Sequence, residues 1–372
     1  MPEKCQSIIE IMEKIAPPYL AQSWDNVGLL VGDSYRDVQN IMVTLDVTME
    51  VVDEAINKNV DLIISHHPLI FKPIKSINKS NPLGKTLHRL IKHEIAVYCS
   101  HTNLDSAPNG TNQVLAQIIG LKDIKPFIDI EKEKYYKLAV FVPQNHMEKV
   151  RTAICEAGAG FVGNYSNCTF RTEGTGTFTP LEDTKPYYGA VGELESVLEY
   201  KLETIVSSEN LPKVIQQMLE AHPYEEVAYD LIPLLNKFNK YGMARVGYLS
   251  NPMKLSLFCE ELKNKLGLNR VKTTGDRNST IYKVAVCAGS GSEFIEEAHK
   301  VGCDCFITGD VKYHDAQYAL QLGLTLIDGG HFETERFISE ALSGQLNKLV
   351  KENAYDVNVF LSNTYINPFL FL

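Results

Sequence analysis

The chain is 372 residues long, 44% hydrophobic and 22% charged, with 36 Lys and Arg against 46 Asp and Glu for a formal net charge of −10. The length asks for about two to three domains and excludes a single small module, and a composition near the globular average excludes long disorder, collagen-like sequence and a coiled coil. The acidic balance makes a poor general nucleic-acid binder, whose phosphate contacts need a positive face, and leaves room only for a local basic groove.

The N-terminal segment places Ile8, Ile9, Ile11, Met12 and Ile15 among Glu10, Glu13 and Lys14. That pattern predicts an amphipathic helix and not a signal peptide. Three strands separated by helices follow. Residues 41–47 (IMVTLDV) read as a buried strand, and Thr48 caps a helix through Val51, Val52, Ala55 and Ile56. Residues 60–65 (VDLIIS) form a second strand and 82–93 a helix. Residues 95–99 (IAVYC) form a third strand, with a helix opening at Asn112. Continuous apolar strands between helices predict a parallel sheet covered on both faces.

The middle of the chain changes grammar. Strand 137–142, helix 147–157, strand 168–172, a Gly/Pro/Thr-rich loop over 174–189, strand 201–206, helix 212–221 and strand 227–232 make a β-α-β-β-α-β order. That is the ferredoxin-like arrangement. The last third returns to α/β. Strands 284–288, 303–308 and 324–327 are each followed by a helix, the last over 332–351, and 355–361 closes as a strand. The predicted fold is therefore a discontinuous α/β domain, 1–129 with 236–372, holding mixed, mostly parallel sheets and interrupted by an inserted α+β domain over 130–235. Three serial domains are the alternative. Insertion is favoured because each outer piece alone makes an under-covered sheet.

The eight cysteines form no C-x-x-C pair, and several lie in apolar strand runs. They read as small buried hydrophobes in a reducing cytoplasm. No apolar run approaches the ~20 residues that span a bilayer.

Histidines cluster where chemistry is expected. His66, His67, His101, His314 and His331 follow strands or open helices, and open parallel sheets bind ligands beyond the carboxyl ends of their strands. Pro68 restricts His67 to extended geometry, so the adjacent rings of His66 and His67 reach different ions of a close pair or simply cap a solvated strand end. Asp105 is a ligand or a turn residue. His331 and Glu335, four apart after Gly329-Gly330, share a helix face. They suit a divalent ion or form a polar first turn. Taken together, His66, His67, Asp105, His331 and Glu335 come from three strand ends that one parallel sheet brings to one edge. Three His and two carboxylates are too many for one tetrahedral ion with an open position, and fit two ions about 3.5–4 Å apart with Glu335 bridging. Zinc, manganese, iron, cobalt or nickel suits such donors. Among weaker signals, Gly289-Ser290-Gly291 is a phosphate cradle or, preferably, an ordinary turn. Trp24 is a stacking platform or, preferably, plain packing. Asp310 and His314 are groups beside the metals, groups that meet a substrate, or solvated loop. His222-Pro223-Tyr224-Glu225-Glu226 reads as a helix stop and turn.

The motifs WDNVGL (24–29), DLIISHHPLIF (61–71), SHTNLD (100–105), ITGD (307–310) and GGHFETE (329–335) occur in this order. Together they resemble the GTP cyclohydrolase 1 type 2 homolog family, also called NGG1-interacting-factor-3-like. The middle segment, with GTGTFTP (174–180) and HPYEEVAYD (222–230), is similar to the PII-like, divalent-cation-tolerance-like domain of longer bacterial members. The resemblance implies a site for two divalent ions, zinc foremost, on His66, His67, Asp105, His331 and Glu335, with His101 an auxiliary ligand or a neighbour of the metals. It also implies a toroidal homohexamer. The expected function is a metal-dependent hydrolase acting through a metal-activated water on a nucleotide or related small molecule, with His101 or His314 moving the proton. The alternative is a regulatory or metal-handling oligomer that senses a ligand through its PII-like domain. Nucleic acid ranks last as a partner, and no membrane is expected.

Overall fold

A computed structural model describes residues 2–129, 134–163, 165–236, 241–364 and 366–370. The chain divides into two compact units, one made of residues 1–130 and 239–372, the other of residues 131–238.

The first unit is α/β with two mixed sheets. In the five-stranded sheet, strands Asn358–Leu361, Asn40–Thr44, Leu62–Ser65 and Ala96–Cys99 run parallel in that order, and Gly28–Val31 closes the edge antiparallel to Ala96–Cys99. The apolar runs behave as their composition demands. Ile41, Val43, Leu62, Ile64 and Tyr98 face a core shared with helices Cys5–Ile15 and Phe337–Glu352. The alternate residues Met42, Ile63 and Val97 face helices Met49–Asn57 and Pro82–Lys92. Thr48 caps the first of these, its side chain accepting from the Val51 N–H.

The six-stranded sheet runs Lys272–Thr273, Thr325–Asp328, Cys305–Gly309, Thr280–Ser290, Gly242–Lys254 and Lys122–Asp129. Among its neighbouring pairs only Thr325–Asp328 with Cys305–Gly309, and Cys305–Gly309 with Thr280–Ser290, are parallel. The expected mixed sheets are thus two, and three of their antiparallel strands escape the apolar-run pattern. Lys122–Asp129 carries four charges and Pro126 and lies on a sheet edge, where proline is tolerated. Gly242–Lys254 contains two glycines and an Asn-Pro step, and its ladder shifts register between Tyr248 and Met253. Gly28–Val31 begins on a glycine at φ 100°. The predicted helix over 332–351 is also divided, into His331–Glu335 and Phe337–Glu352.

The second unit is a four-stranded antiparallel sheet ordered Tyr229–Leu234, Tyr135–Pro143, Glu195–Ser207 and Thr169–Phe178. Helices Met147–Glu156 and Leu211–Ala221 pack on it around Leu138, Val140, Val142, Val150, Ile154, Val214 and Met218. The predicted loop over 174–189 is corrected in its first part. Residues 174–178 continue the strand Thr169–Phe178, which pairs along its length with Glu195–Ser207 despite its glycines.

Candidate metal centre

The strand Leu62–Ser65 ends in the His66-His67 pair. The His66 and His67 N–H groups continue the ladder by donating to the Thr44 and Leu45 carbonyls at 3.2 and 2.9 Å. The strand alternation does not carry through the pair: both rings turn toward the same point, their centroids 5.1 Å from each other. Ala96–Cys99 ends one strand over and delivers His101 and the short helix Thr102–Ser106 that carries Asp105. Thr325–Asp328 of the other sheet delivers His331 and Glu335. The residues thus meet from two sheets of the first unit, not from one sheet edge as the sequence reading had it.

Four imidazoles share one design. Each Nδ1 faces an oxygen acceptor: His66 the Ser100 carbonyl at 3.0 Å, His67 the Asp46 carboxylate at 2.8 Å, His101 the Asp25 carboxylate at 2.9 Å and His331 the Asp310 carboxylate at 2.7 Å. Such acceptors place the proton on Nδ1 and leave the Nε2 lone pair for a cation. The Nε2 atoms converge. Those of His67 and His331 lie 2.9 and 3.1 Å from Glu335 Oε2 and 3.4 Å from each other. His66 Nε2 lies 3.8 Å from Glu335 Oε1 and 3.6 Å from Asp105 Oδ1. Ligand atoms of His66, His67 and His101, and of His67, His331 and Glu335, form two groups each within 4.8 Å.

Burial makes this arrangement costly without a cation. Glu335 is 3% exposed, and His66 and Asp105 are buried. His66 Nε2 and Asp105 Oδ1 have no hydrogen-bond partner. Two orphaned buried polar atoms facing each other call for a partner between them. A set of imidazole nitrogens and carboxylate oxygens suits a divalent transition metal. Burial alone would push Glu335 up, but the imidazoles of His331, His66 and His67 around it hold it well below the usual carboxylate range. Burial works against a charge on His67 and His331 too. The carboxylates of Asp46 and Glu335 nevertheless raise His67 to about 10, and those of Glu335 and Asp310 raise His331 to about 9. Burial raises Asp105, against the pull of His66 and His101.

Neighbours hold this frame. Asp25 accepts from His101 and from both the N–H and hydroxyl of Thr102. Burial opposes its ionisation, but the bonds from His101 and Thr102 bring it down to about 2. Trp24, 57% exposed, sets its ring 6.2 Å from that of His101. Gly289 is the floor under Glu335. A Cβ there would lie 2.0 Å from Glu335 Oε1, and φ is +62°. The Gly289 and Gly291 N–H groups already donate to Thr334 and Thr308, so this loop is a turn that admits Glu335 and offers neither donor to a phosphate. Arg245, 1% exposed, donates to Gln113 and to the Gly242, Ala244 and Ala107 carbonyls. Burial lowers its guanidinium to about 10, with the Asp105 charge opposing.

A cleft of about 760 Å³ opens beside the cluster, lined among others by Asp46, His67, His331, Arg270, Lys272 and Phe369. His314 takes no part in the cluster's contacts. It is exposed on helix Tyr313–Leu322 with its Nδ1 against Gln317. The sequence reading gave no role to Asp25 or Asp46. The available signal for Asp46 was its place at the end of a strand adjacent to that of His67, while Asp25 lies in a loop whose approach to His101 no spacing announces.

A family model described as Duf34/NIF3 (NGG1p interacting factor 3) matches residues 3–368. The chain is 43% identical to the Bacillus subtilis GTP cyclohydrolase 1 type 2 homolog over 99% of its length and 98% of that protein. Among solved structures, a Bacillus cereus protein related to NIF3 is 40% identical, covers both chains fully and superposes with a TM-score of 0.92. The Staphylococcus aureus protein SA1388 is 32% identical over 100% of this chain and 99% of its own, with a TM-score of 0.82.

Proposed function

The chain belongs to the Duf34/NIF3 family, and from that premise and the cluster's geometry we propose that it is a metal-dependent hydrolase with a dinuclear site, acting on a nucleotide or a related small anionic molecule. The observation that carries the proposal is the pair of buried, orphaned atoms His66 Nε2 and Asp105 Oδ1, set against a Glu335 whose two oxygens face different histidines. In this reading His66, Asp105 and Glu335 would hold one ion, and His67, His331 and Glu335 the other, with zinc the first candidate. Bound there, divalent ions supply Lewis acidity and a water acidic enough to be a nucleophile near neutral pH. The chain's own residues do the rest. Asp46, Asp310 and the Ser100 carbonyl fix the ring orientations. Arg270 and Lys272 line the cleft where an anionic substrate would be oriented. His101, held by Asp25 at Nδ1, takes and returns a proton at Nε2. His314, exposed and paired with Gln317, is set aside for that role.

The test is a metal-supplemented screen of phosphoesters and nucleotides. Turnover that requires metal and disappears in Glu335→Ala supports the reading, and no metal-dependent turnover in a wide screen refutes it. A second reading, a regulatory or metal-handling oligomer, draws on the second unit. Its β-α-β-β-α-β order and separate core support a ferredoxin-like, PII-like inserted domain. Assembly as a toroidal homohexamer and a cytoplasmic setting belong to the proposal. The free cysteines suit a reducing compartment, and among the described residues no helix is long and apolar enough to cross a membrane.

A further inference from the structure

The second unit contains a cavity of about 460 Å³, within the range of small-molecule sites. It joins the two motifs of the middle segment that the metal centre does not use, GTGTFTP (174–180) and HPYEEVAYD (222–230). Its walls combine the aromatic rings of Phe178, Tyr187 and Tyr224 with the carboxylates of Glu199, Glu225 and Glu226, and among the described residues no Lys or Arg lines it. The three rings are a connected group. The Tyr224 centroid is 5.8 Å from that of Phe178 and 6.4 Å from that of Tyr187.

Glu199 is the informative member. It is 7% exposed, yet its side chain's one hydrogen bond among the described residues is from the Tyr224 hydroxyl to Oε1 at 2.9 Å. The sheet makes room for the other oxygen. A Cβ at residue 176 would lie 2.2 Å from Glu199 Oε2, so Gly176 is what admits the carboxylate at this wall. The neighbouring groups are already satisfied and serve as frame. His222 stands between the Phe141 carbonyl and the Tyr224 N–H, and the Glu225 side chain accepts from the Lys185 N–H, tying the 180–186 loop over the cavity. A buried carboxylate with one neutral donor is costly unless a cation completes it. Aromatic faces around that point are the chemistry that recognises a cation with an apolar body.

We propose that this cavity binds an organic ammonium ion, with Glu199 as its counter-ion and Phe178, Tyr187 and Tyr224 as its aromatic cage. The proposal is independent of the metal centre.

The test uses the full chain and benzyltrimethylammonium, which has no lone pair with which to bind a metal, followed by calorimetry and ligand-observed NMR. Saturable binding that weakens by about tenfold or more in Glu199→Gln and in Tyr187→Ala is expected. Benzyl alcohol and phenylacetate at the same concentration should not displace the cation. Glu199→Gln keeps an acceptor for Tyr224, and Tyr187 is half-exposed, so at least one variant retains the fold, checked by circular dichroism. His331→Ala should bind as the wild type does. The absence of saturable binding overturns the proposal. So does equal binding by both folded variants, or displacement by the neutral or anionic analogue. Displacement by calcium with no effect of Tyr187→Ala would reveal a plain carboxylate cluster and overturns it as well.

Discussion

Gly289→Ala is the sharpest perturbation of the metal centre that leaves every donor in place. The added Cβ would stand 2.0 Å from Glu335 Oε1 and 3.4 Å from His331 Nε2, and residue 289 sits at φ +62°. The backbone conformation alone costs about 1–2 kcal/mol for a residue with a Cβ. Relief of the clash requires the Glu335 carboxylate to move, and it faces both halves of the cluster. Disturbing even the partners that orient ligands lowers metal affinity ~10–100-fold. Displacing Glu335 itself should reach the upper end of that range, about 3 kcal/mol. Zinc affinity by chelator competition, with urea unfolding of the metal-free protein alongside, separates the two effects. The control is Gly344→Ala, on the exposed side of helix Phe337–Glu352 with nothing within 4 Å of its Cβ. It should stabilise the fold by up to about 1 kcal/mol and leave zinc affinity alone. If Gly289→Ala binds zinc as tightly as the wild type, the placement of Glu335 at the heart of the site is wrong.

Asp46→Asn and Asp310→Asn should each weaken metal binding by ~10–100-fold without unfolding the protein, measured by the same competition, because each removes the carboxylate charge behind the Nδ1 of one histidine. Arg245→Met should cost about 3 kcal/mol or more in urea unfolding, since Gln113 and the Gly242, Ala244 and Ala107 carbonyls lose their buried donor. In metal-free protein, His67 and His331 have folded values raised from 6.5 to about 10 and about 9. Their contribution is therefore fully present below pH 6.5 and is lost as pH rises through 9 to 10. Glu335, depressed below 4.5, contributes above that value and loses its contribution as pH falls. The thermal midpoint of metal-free protein should fall between pH 7 and 10 more steeply than that of zinc-loaded protein, and parallel curves would contradict the assignment.

What the sequence made legible follows from burial. Runs such as IMVTLDV and DLIIS are buried on both faces, so their composition alone marks them as parallel strands, and the histidines at their ends mark the functional edge. Strands with one solvated face or with glycine and proline, such as Lys122–Asp129 and Gly242–Lys254, carry no such signature. That His331 and Glu335 follow a strand of a different sheet from the other site residues was accordingly hidden. Local spacing placed His331 and Glu335 on one helical turn. The partners of the histidines are another matter. Asp25 meets His101 across 76 positions and Asp46 meets His67 across 21. Such pairings are set by how strands align and which loops cross them, and no local pattern encodes either.

The central claim is a site for two divalent ions organised by Glu335. Elemental analysis of the purified full chain, after equilibration with zinc and removal of loosely bound metal, tests it most directly. The account predicts about two ions per chain in the wild type and fewer than about one in Glu335→Ala, with the fold retained by circular dichroism. A stoichiometry in Glu335→Ala equal to that of the wild type, or no retained metal in either protein, would contradict it.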